Sequence, residues 1–448
     1  MRTRMRTVTA LAGALGLSLV SGCAQEGAGT SANTVTYWLW DANQQPAYEA
    51  CAKDFEQQHP GLTVKITQLG WDDYWTKLTA SFIAGTEPDV FTDHIQKFGQ
   101  FADLEVLEPL DDLGIEDADY QPGLGANWRG RDGRRYGAPK DWDTVALFYN
   151  RELAREAGLT AGQLNDLSWN PEDGGTFEKA VAHLTVDGEG RRGDEPGFDK
   201  NDVKVYGLAT NGGGDGDGQT QWSTFTASAG WTYTDRERWG TKYRYDSKTF
   251  QSVVAWYFGL AEKGYMAPFS DYNSQSNQAN TQVAAGKAAA AFDGAWMISS
   301  YDGFKGLDIG TAVTPAGPSG KRATMMNGLA DSVTRNARNK AGAEKWVAYL
   351  ASDECQRTVG SYGIVFPATP GGTKAAVAAY EKKGIDVGAF TEPVADKEGF
   401  TTFSYPITDY AADVYALMHP AMQDIFANGA SVSGLDRTNS QINLILDQ

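Results

Sequence analysis

Histidine and cysteine are scarce in this sequence, with four His and three Cys among 448 residues. His59, His94, His183 and His419 lie far apart, with neither an HExxH nor a paired spacing, so a transition-metal site has little support. A GxSxG nucleophile elbow, a glycine loop ending in Gly-Lys-Ser/Thr and a GxGxxG after the first strand are also missing. The machinery of many hydrolases, nucleoside triphosphatases and dinucleotide enzymes is therefore not visible, and no cofactor or metal is expected. Two carboxylates brought together by folding are a different case, because 57 acidic residues leave that arrangement open.

Positive charge is also in deficit. Lys and Arg number 39 against 57 Asp and Glu, a net charge of −18. Such acidity argues against nucleic acid as a partner and against a surface attractive to anions. What is plentiful is apolar and aromatic material, 41% and 12% of the chain, enough for two or three domains with sizeable cores.

Long hydrophobic runs are absent too. Arg2, Arg4 and Arg6 precede a run from Val8 to Val20, which is shorter than the roughly 20 residues a spanning helix needs and reads as a signal peptide. Leu19-Val20-Ser21-Gly22-Cys23 resembles the lipobox of bacterial lipoproteins. That resemblance implies cleavage after residue 22, a lipid anchor on Cys23, a flexible tether over 23–34 and residence on the extracytoplasmic face of the cell membrane. Losing the three leader arginines takes the net charge to −21. With Cys23 assigned to lipid, Cys51 and Cys355 remain, and one disulfide or two buried thiols both fit.

Residues 35–40, VTYWLW, read as a strand covered on both faces. Tyr48, Cys51, Ala52 and Phe55 share a helical face that stops at His59-Pro60-Gly61. Leu62, Val64 and Ile66 alternate as a strand, Trp75, Leu78 and Phe82 mark a helix ending at Gly85, and 88–91 is a further strand. This alternation predicts a parallel sheet with covering helices, whose ligands sit beyond the carboxyl ends of the strands. The residues to inspect are then Trp40, Asp41 and Asn43, then Gly70 and Trp71, then Thr92, Asp93 and His94.

The stretch YGAPKDWDTVALFYN, 136–150, places Pro139, Lys140, Asp141, Trp142 and Asp143 just before an apolar run, as suits a ligand-lined crossing between two lobes. Lys140 and Asp141 read as a solvated hinge. Further on, Thr176–Thr185 is an amphipathic helix capped by Thr176, 187–202 a charged insert, and 212–222 a glycine-rich loop. That loop's Asp215 and Asp217 lack the twelve-residue calcium pattern, so a solvated loop is the better reading. Ala288–Phe292 is a strand with Asp293 and Trp296 just beyond it, GPSGKRATM a hairpin, and the helix over 406–426 is interrupted near Pro420. The 13 Trp include three beside acidic residues at predicted strand ends: Trp40 with Asp41, Trp142 with Asp143, Trp296 with Asp293. An indole can cover the C–H face of a sugar while carboxylates and amides bind its hydroxyls.

Taken in order, GTEPDVF, YGAPKDWDTVALFYNRELAREAGL, GKAAAAFDGAW, AEKWVAYLASDECQ and GIVFPA resemble the extracellular solute-binding proteins of ABC importers, the sugar-binding group that includes maltose-binding protein. The resemblance runs from about 35 to 445. It implies an α/β fold of two lobes, each a sheet flanked by helices, joined by a hinge and closing over ligand. Lobe one would comprise 35–140 plus 311–368, and lobe two 141–310 plus 369–448. It also implies a monomer that hands a sugar to ABC permease subunits and is not an enzyme. Carried over residue by residue, Asp143 falls at an acidic hydroxyl-binding position, Trp296 at a stacking position, and Asp93 in a ligand-contacting segment. Trp40, Asp41 and Asn43 fall in the first strand-to-helix turn, while Trp222 and Trp231 lie where another aromatic is supplied. Two readings stand beside this one: the same fold binding another solute such as a polyamine, and a surface glycoside hydrolase with carboxylates about 5–9.5 Å apart.

Overall fold

The computed structural model describes residues 33–213, 215–269, 278–396 and 398–448. The leader, the lipobox cysteine Cys23 and nearly all of the expected tether lie outside them.

The chain opens with β1 (Thr34–Leu39), α1 (Gln45–Gln58), β2 (Thr63–Gln68), α2 (Trp71–Ala84), β3 (Val90–His94) and α3 (Ile95–Asp103). β1 pairs in parallel with both β2 and β3, as the alternating apolar pattern predicts. Gly85 ends α2 in the left-handed conformation, φ 65°, which glycine adopts without a side-chain clash. The sheet grows by strands from much later in the chain. Its order is β12-β4-β11-β3-β1-β2, with β4 (Ala138–Asp143), β11 (Asn327–Val333) and β12 (Phe366–Pro367) running antiparallel to their neighbours.

A second sheet has the order β6-β7-β8-β5-β9, from β5 (Val145–Asn150), β6 (Val186–Asp187), β7 (Val203–Leu208), β8 (Ala288–Gly294) and β9 (Ile309–Ala312). The chain changes sheets at Thr144, between β4 and β5, so Lys140 to Asp143 still belong to the first sheet and Ile309–Ala312 to the second. The resemblance implies those changes at 140/141 and 310/311, a few residues from where the strands place them. Beside the crossing runs β10 (Arg322–Met325), where the Thr324 hydroxyl accepts from Val145 N–H at 2.9 Å.

Three local expectations are corrected. GPSGKRATM forms a turn, not a hairpin, because β10 pairs in parallel with the distant β13 (Phe400–Phe403). The helix Ala411–Asn428 is continuous through Pro420, since one missing N–H does not outweigh the packing of Val414, Met418, Met422 and Ile425 on its buried face. Thr176 is not a cap: Gly174 is, and the Thr176 hydroxyl takes the Ser168 N–H instead at 2.8 Å.

Cys51 on α1 and Cys355 on the helix Asp353–Ser361 form a disulfide with Cα atoms 5.5 Å apart, joining positions 304 residues apart in sequence. Lys140 and Asp141 are not a solvated hinge. Both are 3% exposed and share an ion pair of 2.9 Å, with the ammonium also over the Tyr48 ring at 4.4 Å. Burial works against the charge of Lys140, but Asp141 and Tyr48 outweigh it and its pKa is raised. Among the described residues no helix is long and apolar enough to cross a membrane, and no cluster of His, Cys, Asp or Glu could hold a metal ion.

Candidate functional site

Three neighbouring strands of the first sheet meet at the sheet change. Asn327, the first residue of β11, pairs across the ladder with Asp143, the last of β4, while His94 ends β3 on the other side of β11, opposite Leu329. The side chains converge accordingly. The Asn327 amide lies 3.0 Å from Asp143 Oδ2 and 3.1 Å from His94 Nε2. From the loop before the helix Ser223–Ser228, Gln219 Nε2 reaches Asp143 Oδ1 at 3.4 Å, and the Tyr405 hydroxyl donates to Gln219 Oε1 at 2.7 Å.

All five side chains are buried. Burial, then the charge of Asp141, pushes the Asp143 carboxyl well above its ordinary range, while the Asn327 hydrogen bond pulls it the other way. Burial, then Lys97, holds the His94 imidazole down to about 3, so it is neutral. His94 also caps α3, its Nδ1 accepting from Gln96 N–H at 3.2 Å.

Aromatic rings border this polar group on the first-sheet side. Trp40 packs against Trp71 at 5.1 Å and Trp75 at 5.3 Å, and Trp71 stands 5.5 Å from the His94 ring with 43% of its surface exposed. On the far side, α3 faces the loop before the helix Ser223–Ser228 and the helix Ala411–Asn428 across a cavity of about 100 Å³. Gln96, Lys97, Asp217, Tyr243 and Tyr415 are among its lining residues. Gln96 donates to Asp217 across it at 2.7 Å. Gln96 and Asp217 each stand two residues from the polar group, beside His94 and Gln219, which makes the cavity continuous in sequence with it on both walls.

The second-sheet residues flagged by sequence sit at the same crossing. β8 pairs with β5 so that Gly294 faces Val145, and Ala295 N–H donates to the Thr144 carbonyl at 3.1 Å. Trp296, half-buried, thus hangs two peptides from Asp143 across a backbone hydrogen bond. Asp293 is buried, accepting from Gly294 N–H and Tyr301 OH, and burial raises it to about 7.

Other flagged residues are engaged elsewhere. Asp93 is fully buried, with Oδ1 accepting the His94 N–H at 2.8 Å and Oδ2 without a protein partner. Burial pushes its carboxyl up. Asp41 accepts the Asn43 N–H at 2.8 Å at the rim, where Asn43 is exposed. Three indoles are taken up in packing, with no face left for a ligand in this conformation. Trp142 stacks on Phe366 at 4.9 Å and donates to Thr373; Trp222 packs on Phe250 at 5.0 Å; Trp231 stacks on the same ring at 4.4 Å. His94 and Trp71 stand just after strands legible in the sequence, but Asn327, Gln219 and Tyr405 carry no such signal. Asn327 precedes a glycine at the start of a strand whose neighbours are distant in sequence.

Residues 41–357 match the family model described as bacterial extracellular solute-binding protein. A maltooligosaccharide ABC transporter solute-binding lipoprotein of Streptococcus pneumoniae is 25% identical over 346 residues, covering 71% of this chain and 68% of that one. In fold, the chain is similar to UspC of M. tuberculosis, with a TM-score of 0.71 at 24% identity, over 92% of this chain and 100% of that one. It is also similar to Lmo0181 of Listeria monocytogenes in complex with cycloalternan, with a TM-score of 0.75 at 18% identity, over 92% and 99%.

Proposed function

Because the chain belongs to the bacterial extracellular solute-binding proteins, we propose that it captures a sugar, mono- or oligosaccharide, in the crevice between its two sheets and delivers it to an ABC importer. The observation that carries this reading is the convergence of His94, Asn327, Asp143 and Gln219, three of them neutral side chains rich in hydrogen-bonding atoms, beside the exposed indole of Trp71. Polar groups in a mostly apolar crevice fix the hydroxyls of a sugar, and an indole face covers its C–H surface. The sugars for which the pneumococcal relative and the Listeria neighbour are named support the same class.

The two lobes are 35–143 with 327–382 on one side and 145–312 with the helices Ala411–Asn428 and Leu435–Leu446 on the other, hinged at Thr144 and at β10; the helix Pro370–Lys382 goes with the first lobe because Trp142 donates to its Thr373. Ligand binds the closed arrangement better than the open one and so populates it. Asp143, Trp296 and Trp40 contribute to the site, with Asp41, Asn43 and Asp293 at its edges and Asp93 supporting His94. The protein works as a monomer without a cofactor or catalysis, on the outer face of the cell membrane, held by lipid on Cys23, with the permease subunits as its partners. The lipoprotein relative supports that address.

A panel of neutral mono- and oligosaccharides tests the assignment. At least one is expected to change intrinsic tryptophan fluorescence and raise the melting temperature, since a ligand that binds only the folded state stabilises it. Silence in both readouts across the panel at millimolar sugar would overturn it.

A further inference from the structure

We propose that Asp143 is a neutral carboxylic acid in the folded protein, and that the amide between it and His94 presents its oxygen to both, leaving the Asn327 NH2 free to donate to ligand. The last clause rests on the sugar-binding reading above; the first two rest on donor counting alone.

Gln96 N–H donates to His94 Nδ1, so that nitrogen carries a lone pair, and a neutral ring must then hold its proton on Nε2. Nε2–H points at one terminal atom of the Asn327 amide, 3.1 Å away. If that atom is the NH2 nitrogen, two donors meet head-on. If it is the oxygen, it accepts from Nε2–H, and the two ends of an amide are so alike in shape that turning it needs no extra room.

The same atom also lies 3.0 Å from Asp143 Oδ2. Two oxygens at that separation need a proton between them, and Asn327 then has none to give there. Asp143 must supply it. The chain of bonds that satisfies every atom is therefore His94 Nε2–H to Asn327 Oδ1, with Asp143 Oδ2–H to the same oxygen.

The surroundings agree. From β11 Asp143 faces the Asn327 amide, and from the loop before the helix Ser223–Ser228 it faces the Gln219 amide at 3.4 Å. On its own strand stands the carboxyl of Asp141, whose partner is Lys140, and across β11 stands neutral His94. Among the described residues no cation hydrogen-bonds or pairs with Asp143. Burial and Asp141 both favour the protonated form. The far end of the Asn327 amide is buried without a protein partner; turned over, that end carries two hydrogens, and a sugar oxygen is the acceptor it suits. A crevice floor with no net charge at this point takes an uncharged ligand rather than a cation.

Infrared difference spectra between the wild-type protein and Asp143→Asn, recorded without ligand near pH 7, are expected to show the C=O stretch of a protonated carboxyl lost in the variant; loss of a carboxylate band instead overturns the proposal. In the same ligand-free proteins, the melting temperature of the wild type relative to Asp143→Asn is expected to fall from about pH 5 to about pH 9, because a raised folded pKa contributes stability that disappears as pH rises through it. A flat or rising difference, or an Asn variant that does not fold near pH 7, overturns it, since amide and neutral acid match in shape. If no sugar binds the wild type, the sugar reading fails while these outcomes still decide the protonation. With a sugar from the panel that binds, Asn327→Asp, which replaces the donating NH2 by an oxygen of the same shape, is expected to weaken affinity about tenfold or more, and an affinity kept within about threefold counts against the proposal.

Discussion

Gly294 and Trp296 occupy one space: a Cβ built on Gly294 would lie 1.7 Å from the Trp296 ring. The indole folds back over its own turn, and only a residue without a side chain permits that at Gly294. The turn is tied to the sheet crossing by Ala295 N–H to Thr144 O. Gly294→Ala is therefore expected to expel the indole from its position. Overpacking of this kind costs about 1–3 kcal/mol, and sugar affinity should fall by more than the melting temperature does. Titration of the variant by tryptophan fluorescence checks this, and unchanged affinity removes Trp296 from the site.

Asp143→Ala differs from the Asn variant in leaving both neighbouring amides, Asn327 and Gln219, short of a partner. Buried polar groups left unpaired cost about 1–3 kcal/mol. Sugar binding should weaken by that amount in calorimetric titration, while the far-ultraviolet circular dichroism of the folded chain stays the same. If the affinity does not change, Asp143 plays no part in recognition.

Buried carboxyls also set a pH dependence. Burial raises Asp293 from its ordinary value to about 7 in the folded chain. A raised pKa contributes stability that is fully present below the unfolded value and is lost as pH rises through about 7. The ligand-free protein should therefore melt higher at about pH 5 than at about pH 8. Asp293→Asn should shrink that difference without abolishing it, because Asp331 is raised to about 7 by the same burial. A melting curve indifferent to pH in this range would contradict both assignments.

The disulfide closes a loop of 304 residues between α1 and the helix Asp353–Ser361. Cross-links of long loops stabilise mainly by restricting the unfolded chain, and removing a native one typically costs about 2–5 kcal/mol. Cys51→Ser with Cys355→Ser should lower the midpoint of denaturant unfolding accordingly while leaving sugar affinity near the wild-type value, since neither residue is among those that form the crevice. Equal losses of stability and affinity would mean that the bridge shapes the site.

Much of the architecture can be read in the chain because it is local. VTYWLW, the helical face of Tyr48 to Phe55 and the glycine at 85 each carry their own signal, and β1, α1 and α2 follow from it. GPSGKRATM fails for the opposite reason: the partner of β10 lies some 80 positions away at Phe400–Phe403, and turn chemistry says nothing of it. The site divides in the same way. Asp143 and Trp296 stand at strand ends visible in sequence, whereas Asn327 reaches Asp143 only because β11 inserts between β3 and β4. Trp142, Trp222 and Trp231 illustrate the converse, since an indole beside a polar residue looks alike whether its face is open or packed on Phe366 or Phe250.

A last contact links the two halves away from the crevice floor. Trp239, with φ of 51°, sits in the left-handed region that bulky residues seldom enter, within a segment pinned by Asp235 N–H to Lys242 O. Its Nε1 donates to the Arg129 carbonyl at 2.9 Å, its ring lies 5.6 Å from the Arg131 guanidinium, and Arg131 in turn pairs with Asp409. Arg129 and Arg131 precede β4 of the first sheet, whereas Trp239 lies between the helices Ser223–Ser228 and Lys248–Glu262 of the second half. Such a bond exists only while the halves are together, so it favours the closed arrangement by about 1–2 kcal/mol, a hydrogen bond and a partly exposed cation–π contact. Trp239→Ala should open the ligand-free protein, raising its radius of gyration in small-angle X-ray scattering. Apparent sugar affinity should fall in proportion to the closed fraction lost, because a ligand that binds one state is weakened by that state's scarcity. An unaltered scattering curve at saturating sugar, together with an expanded one without it, is the expected pair; identical curves for variant and wild type in both conditions would mean that Trp239 does not hold the halves together.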